Sequence, residues 1–408
     1  MITIDEALER VLREVVSFPA ETVALGDALG RVLAEDRLSD IDSPPHDKAL
    51  VDGYAVVASD IRRGVELEVV EQIMAGQTPR LGVRPSRASR IMTGAPIPDG
   101  ADAVVMVERT ECPNGADRVR VLQDRATAGE NILRRAAAMR AGERVVERGR
   151  LVRPVEIGVL AESGCARVPV CPRPRVAVLA TGDELVDASE VPGAGRIRNS
   201  NGPMLAALAS RAGGRVTDLG VARDETDALG RAIREGLDSD MLLIAGGVSA
   251  GVLDLIPSVL RDVGAKAVFH RVRLRPGKPV WFGVFAHPDR STLIFGLPGN
   301  PVSALVCFEL LARPALERMA GVPHDANRRR RAARLGAAFS HRGDRTTCFP
   351  ARLFEDERGR VAVPLDWKGS PDIRTLADAD AFIVFPPGDR AYAEEDPIDV
   401  YLLGGTGR

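Results

Sequence analysis

Aromatic side chains are scarce in this chain, 4% of 408 residues, so it lacks the ring platforms on which single-stranded nucleic acids stack. An excess of charge is missing too: 55 basic against 57 acidic residues leave a formal charge of −2. No basic field exists to gather nucleic acid. The one local run, Arg328-Arg329-Arg330-Arg331, reads as a solvated linker face rather than a polyanion patch. Cysteine is rare, five residues without a C-x-x-C pair, and the five histidines are scattered. Neither a disulfide framework nor a zinc site is expected. The first residues lack the basic n-region of a signal peptide, and no apolar run approaches the ~20 residues that span a bilayer. The expectation is a cytoplasmic protein with no membrane and no nucleic-acid partner.

What is present is 45% apolar residue content, enough for packed cores in two to four domains. Thr3 with Glu6 makes a capping box, and Ile4, Leu8, Val11, Leu12 and Val15 form one stripe at helical spacing. Short β-like runs broken by turns such as Pro98-Asp99-Gly100 fill residues 39–133 and predict an inserted β domain. Residues 1–38 and 134–172, with a helix over 154–162, then form one discontinuous first domain. From 173 to 323, helices over 203–212 and 226–237 alternate with strands over 176–180, 215–221 and 241–244. This predicts a central three-layer α/β domain with a mostly parallel sheet. Short strands over 347–354, 361–365, 381–385 and 398–402 predict a small C-terminal β domain spanning 324–408. The fold class is thus multidomain α/β plus β.

The chemistry-bearing turns sit in the α/β segment. Thr181-Gly182-Asp183-Glu184-Leu185 and Gly246-Gly247-Val248-Ser249-Ala250-Gly251 follow apolar strands, where open α/β sheets bind ligands. Glycines let backbone approach a ligand and present N–H groups to an anion. Asp183 and Glu184 suit a hydroxyl, an amine or a divalent cation, or else an N-cap for a following helix. Ser249 and Asp254 flank Gly251, placing a hydroxyl and a carboxylate at one turn. Lys278 stands between prolines in Arg275-Pro276-Gly277-Lys278-Pro279, a stiff presentation of one cation to an oxyanion. Pro298-Gly299-Asn300-Pro301 then opens a helix over 302–311, whose first N–H groups and Ser303 offer a second anion contact.

These runs, with Asp52-Gly53-Tyr54-Ala55, Ala75-Gly76-Gln77 and Ile91-Met92-Thr93-Gly94-Ala95-Pro96, resemble the molybdopterin molybdenumtransferase family, as in MoeA and the C-terminal domain of gephyrin. The resemblance covers nearly the whole chain. It implies a homodimer of four-domain subunits, with a cleft between the α/β domain of one subunit and the inserted β domain of the other. It also implies a reaction: adenylylated molybdopterin and molybdate give molybdenum cofactor and AMP, with Mg²⁺. The site residues then follow. Thr181, Gly182, Asp183, Gly246, Gly247, Ser249, Lys278, Pro298, Gly299, Asn300, Pro301 and Ser303 bind the pterin and molybdate. Asp52, Thr93, Glu184, Asp240 and Asp254 are the catalytic candidates, with Asp254 and Glu184 for the metal. A molybdopterin adenylyltransferase is the candidate protein partner.

Departures from the family pattern are local. Ala136-Ala137-Ala138 stands where the resemblance implies a glycine and two acids; Lys48 and Ala49 replace an Asn and a hydroxyl, and Val252 an acid. Two other readings stay open on the sequence alone. One is a paralogue that binds a pterin or nucleotide with altered molybdate chemistry. The other is a non-catalytic dimeric scaffold.

Overall fold

The structure is a computed structural model that describes residues 1–113, 115–248, 255–323 and 329–403. Its central sheet owes its burial to runs that are apolar at every position. In the strand Arg175–Thr181, Val176 and Val178 face one core while Ala177 and Leu179 face another. Met241–Ala245 repeats the division, with Met241 and Leu243 on one side and Leu242 and Ile244 on the other. Such two-sided burial is the mark of a parallel sheet covered by helices. The strands run in the order Arg215–Ala222, Arg175–Thr181, Met241–Ala245, Ser291–Leu297, all parallel. Trp281–Ala286 then pairs antiparallel with Ser291–Leu297, and Lys266–His270 pairs antiparallel with Trp281–Ala286.

Helices Asn201–Arg211 and Pro301–Cys307 cover the first face, and Thr226–Gly236 and Ile256–Asp262 the second. The opening helix Ile4–Arg13 carries the expected capping box, yet it packs away from the first domain. Its Ile4, Ala7 and Val11 enter the first-face core of the α/β unit, and Ile2 bridges to Val272.

Glu21–Ala24 pairs with Arg167–Val170, and Arg37–Leu38 with Arg144–Val146, so one small domain is built from two stretches of chain. Helix Pro154–Glu162 closes its core through Leu160. Between these stretches lies a six-stranded sheet ordered Ala103–Met106, Gly53–Val56, Arg87–Ile91, Glu66–Ile73, Arg118–Val121, Thr110–Glu111. Tyr54 and Val56 pack on one side of it and Ala55 on the other.

In the C-terminal domain Thr346–Asp356, Gly359–Pro364, Arg330–Leu335, Pro397–Leu402 and Ala381–Phe385 follow one another, and a further pairing of first with last closes the ring. Leu274–Arg275, from the α/β domain, joins that ring parallel to Thr346–Asp356. The arginine run is no linker. Arg330 and Arg331 begin a strand, Arg330 reaches Asp5 at 3.2 Å and Arg329 reaches Glu317 at 3.4 Å. Arg328 lies outside the described residues.

Candidate oxyanion and pterin site

The turns singled out by sequence gather at the carboxyl ends of the parallel strands. Gly246 has φ +107°, and a Cβ there would meet the Thr181 carbonyl at 2.6 Å and its hydroxyl at 2.8 Å. Only glycine lets the second strand end pass so close to the first. Gly246 N–H donates to the Leu297 carbonyl at 3.0 Å, tying in the third strand end. Gly299, by contrast, is exposed, and a Cβ on it would stand 3.8 Å from the Gly246 Cα. Asn201 at the start of its helix donates to the Gly299 carbonyl at 2.6 Å. The Thr181 hydroxyl is buried and has no hydrogen-bond partner among the described residues. Asp183 accepts the backbone N–H of Asp224 at 3.3 Å, and the Glu184 carboxylate lies over Gly182. No helix follows them: the next element is the short strand Leu185–Val186, which removes the N-cap reading. Ser249 and Asp254 lie outside the described residues.

Beside these turns opens a cavity of about 350 Å³. The 275–279 loop supplies Arg275, Lys278 and the prolines around it; Pro298, Asn300 and Ser303 come from the next turn. The C-terminal domain supplies Arg345, Trp367, Gly369 and Ser370. Three cations therefore face one space that no carboxylate lines. The loop holding Lys278 is fixed from behind, since the Cys307 thiol donates to the Gly277 carbonyl at 3.4 Å and Val272 N–H to the Lys278 carbonyl at 3.0 Å. Arg275 and Arg345 each spend one N–H on a backbone carbonyl, of Arg342 at 3.2 Å and of Leu274 at 3.4 Å, which fixes both guanidinium groups. Burial pushes the Cys307 thiol far above its usual range, so it stays neutral behind the loop.

Asn300 donates to the Ser370 hydroxyl at 3.0 Å, and Val302 N–H donates to the Ser370 carbonyl at 3.1 Å. The first turn of the Pro301–Cys307 helix thus holds the C-terminal domain with an N–H that sequence reasoning reserved for an anion. Ser303, 5% exposed, is among the residues lining the cavity.

Asp52 and Thr93 lie apart, in the inserted β domain. The Thr93 N–H and hydroxyl each donate to the same Asp52 oxygen at 2.7 Å. Those two bonds, the backbone one first, hold the Asp52 carboxyl below the usual range, so it is anionic at neutral pH. Asp240 is a correction. It precedes Met241 and so sits at the amino end of its strand, opposite the site. There it accepts Arg175 N–H at 2.8 Å and the Arg175 guanidinium at 3.0 Å. It is a buried strut, with Arg290 3.9 Å away.

Sequence reasoning missed Arg345, Trp367 and Ser370, and met Arg275 only as the first residue of the loop that presents Lys278. The signal of the first three was weak because each comes from a stretch without a motif of its own.

Three family descriptions match in succession: MoeA N-terminal region (domain I and II) over residues 2–164, probable molybdopterin binding domain over 177–318, and MoeA C-terminal region (domain IV) over 332–403. A molybdopterin molybdenumtransferase of Bacillus subtilis is 36% identical, covering 98% of this chain and 94% of its own length. One from Staphylococcus aureus is 34% identical, covering 98% and 95%. The crystal structure of a molybdopterin biosynthesis MoeA protein from Pyrococcus horikoshii matches with a TM-score of 0.82 at 32% identity, over 99% of this chain and 100% of that one.

Proposed function

The chain belongs to the molybdopterin molybdenumtransferase family, and from that premise we propose that it inserts molybdate into adenylylated molybdopterin, releasing AMP, with the Lys278 cavity as the seat of molybdate. The observation that carries this reading is the convergence of Arg275, Lys278 and Arg345 on a space lined by no carboxylate. Molybdate is a tetrahedral dianion with acceptors only. Three cations neutralise it, and the hydroxyls of Ser303 and Ser370 supply further donors. Such a reaction asks mainly for positioning and charge neutralisation.

The pterin and its adenylate run along the neighbouring turns, Thr181 to Asp183, Gly246-Gly247 and Pro298 to Pro301. There the Thr181 hydroxyl is a free buried donor and the Gly299 backbone is open. The dithiolene then meets molybdate at the Asn300–Lys278 boundary, and Asp254 serves pyrophosphate cleavage.

Mg²⁺ binding usually needs one or two carboxylates, with water and phosphate filling the remaining positions. Among the described residues no group of three or more His, Cys, Asp or Glu is assembled, but the exposed Glu184 meets the smaller demand. Glu184 with Asp254 would hold the ion against the pyrophosphate, where it supplies charge neutralisation. Asp52 and Thr93 sit in a different domain from Lys278, so their part in the reaction calls for a cleft that brings the two domains together. A homodimer in which the inserted β domain of one subunit covers the α/β cleft of the other meets that requirement. A molybdopterin adenylyltransferase supplies the substrate. The five cysteines are all unpaired and no described helix is long and apolar enough to cross a membrane, which agrees with work in a reducing cytoplasm. Neither the altered-paralogue nor the scaffold reading gains support from relatives alike over nearly the full chain.

The test is turnover. Purified protein with adenylylated molybdopterin, Mg²⁺ and molybdate should release AMP and form cofactor. Lys278→Ala should weaken molybdate binding by a few-fold to ~100-fold, the range for one lost charge-assisted contact. Absence of AMP release by the wild type, or unchanged affinity in the variant, would remove this reading.

A further inference from the structure

We infer that the indole N–H of Trp367 is a fourth donor to the oxyanion held among Arg275, Lys278 and Arg345; this rests on the reading of that cavity as the molybdate seat. Trp367 lines the cavity, and its Nε1 is buried with no hydrogen-bond partner among the described residues. An indole nitrogen can only donate. A buried donor left unmade costs about 1–3 kcal/mol, and native structures rarely keep one without a reason. Its neighbours in the cavity explain the vacancy. The three cations are donors themselves, and none of the acceptors in the wall, the Asn300 amide oxygen and the Ser303 and Ser370 hydroxyls, is within hydrogen-bond reach of the indole N–H. A ligand rich in acceptor oxygens satisfies all of these groups at once.

The indole is also held in place before any ligand arrives. Its ring stands edge-on to Phe349, 5.4 Å between centroids at 88°. Its backbone N–H donates to the Leu365 carbonyl at 2.8 Å. Next along the chain, the Lys368 ammonium is engaged by Asp366 at 2.6 Å, while the Lys368 N–H donates to Asp372 at 3.1 Å. The segment carrying Trp367 is therefore braced on both sides, and Lys368 keeps its charge with Asp366. A neutral, directional donor adds shape selection without adding a fourth positive charge. Its loss should lower affinity while leaving the salt dependence of binding alone, which separates it from Lys278.

The experiment is equilibrium dialysis of the full-length protein against molybdate at several salt concentrations, for wild type, Trp367→Phe and Lys278→Ala. Trp367→Phe keeps an aromatic wall and deletes only the N–H with part of the ring. It should bind about tenfold more weakly, as for a hydrogen bond to a charged group, with the wild-type salt slope. Lys278→Ala should weaken binding and flatten that slope. A second readout needs no variant. The chain has two tryptophans, and Trp281 is 3% exposed within the sheet, so emission that changes on molybdate saturation reports on Trp367. Wild-type affinity in Trp367→Phe would overturn the inference and leave the seat intact, the indole N–H then being spent on the Phe349 ring. Saturation by dialysis with unchanged emission would overturn it likewise. No molybdate binding by the wild type would remove both the inference and the reading beneath it.

Discussion

Replacing Gly246 by alanine should unsettle the α/β domain at the point where its strand ends meet. The backbone at Gly246 has φ +107°, a region closed to L side chains, and forcing alanine into it costs about 1–3 kcal/mol. The new methyl would stand 2.6 Å from the Thr181 carbonyl oxygen. That oxygen belongs to a strand end, so it cannot swing aside as a side-chain tip can. Overpacking of this kind adds about 1–3 kcal/mol. The sum, about 2–6 kcal/mol, is a large part of the 5–15 kcal/mol that typically holds a domain folded. In urea, with a slope of about 1–3 kcal/mol per molar, the midpoint should fall by roughly 1 M or more. Far-UV circular dichroism and the emission of Trp281, buried in the same sheet, are the appropriate readouts. Gly299→Ala is the control, because the nearest atom to its new methyl lies 3.8 Å away. It should unfold within about 0.5 kcal/mol of wild type, as surface changes do, while crowding the pterin approach. A Gly246→Ala midpoint within ~0.3 M of wild type, worth roughly 0.3–0.9 kcal/mol at that slope, would refute the close-packed account of this turn.

Other changes test other claims. Asp240→Asn weakens a buried carboxylate that accepts both Arg175 groups, so thermal stability should drop by about 1–3 kcal/mol while molybdate affinity stays unchanged; a lowered affinity would return Asp240 to the site. Ala136 adopts φ +59°, and Ala136→Gly should stabilise the protein by up to about 1 kcal/mol in urea titration, a loss of stability counting against strain there. Glu156 has its carboxyl pulled down to about 2, first by hydrogen bonds from the Arg153 side chain. A lowered folded-state value means its contribution is complete above the ordinary carboxylate range near 4.5 and is lost as pH falls toward 2. Both arginine partners are about half exposed, so screening should hold the effect to about 1–2 kcal/mol. Glu156→Gln should remove that share of the acid sensitivity, and an unchanged stability curve from pH 4.5 to 2 would contradict the assignment.

The central sheet was legible because continuous apolar runs such as Val176 to Ala180 and Met241 to Ala245 admit few alternatives once glycine-rich turns bound them. Helix ends fell within a residue or two: the expected 203–212 is Asn201–Arg211, and 226–237 is Thr226–Gly236. The helix over 302–311 hid more. It runs as α-helix to Cys307 and then as π-helix over Phe308–Ala312, where the buried Glu309 meets Arg313 at 2.6 Å. Apolar spacing alone does not separate a π turn from an α turn. Asp240 was misplaced through strand direction. Its strand of five residues, rising about 3.3 Å each, puts it some ~17 Å from the turn it was grouped with. Half of the cavity's lining was invisible because Leu274–Arg275 and Thr346–Asp356, which pair as Leu274 with Thr346, are brought together across a long stretch of sequence with no motif to announce it.

The alanine run makes the same point from the other side, because there the backbone preserves what the side chains have given up. Ala136 holds the left-handed conformation that suits the glycine implied by the family resemblance, and its N–H donates to the Pro44 carbonyl at 3.0 Å. Ala138 N–H donates to the Ser43 carbonyl at 2.9 Å. Asp47 accepts the Arg135 N–H at 2.8 Å and the Arg134 guanidinium at 2.6 Å, and that backbone bond is the first cause of its lowered carboxyl pKa. Asp42 receives Ala141 N–H at 2.9 Å and the Arg135 side chain. The turn is therefore fixed by backbone bonds and by carboxylates other than the two that are absent. Ala137 and Ala138 are exposed at its outer face, so their loss of charge leaves the fold untouched and acts only on whatever approaches that face. In the proposed dimer, what approaches is the anionic substrate in the partner's cleft, and two fewer negative charges there mean less repulsion of a dianion.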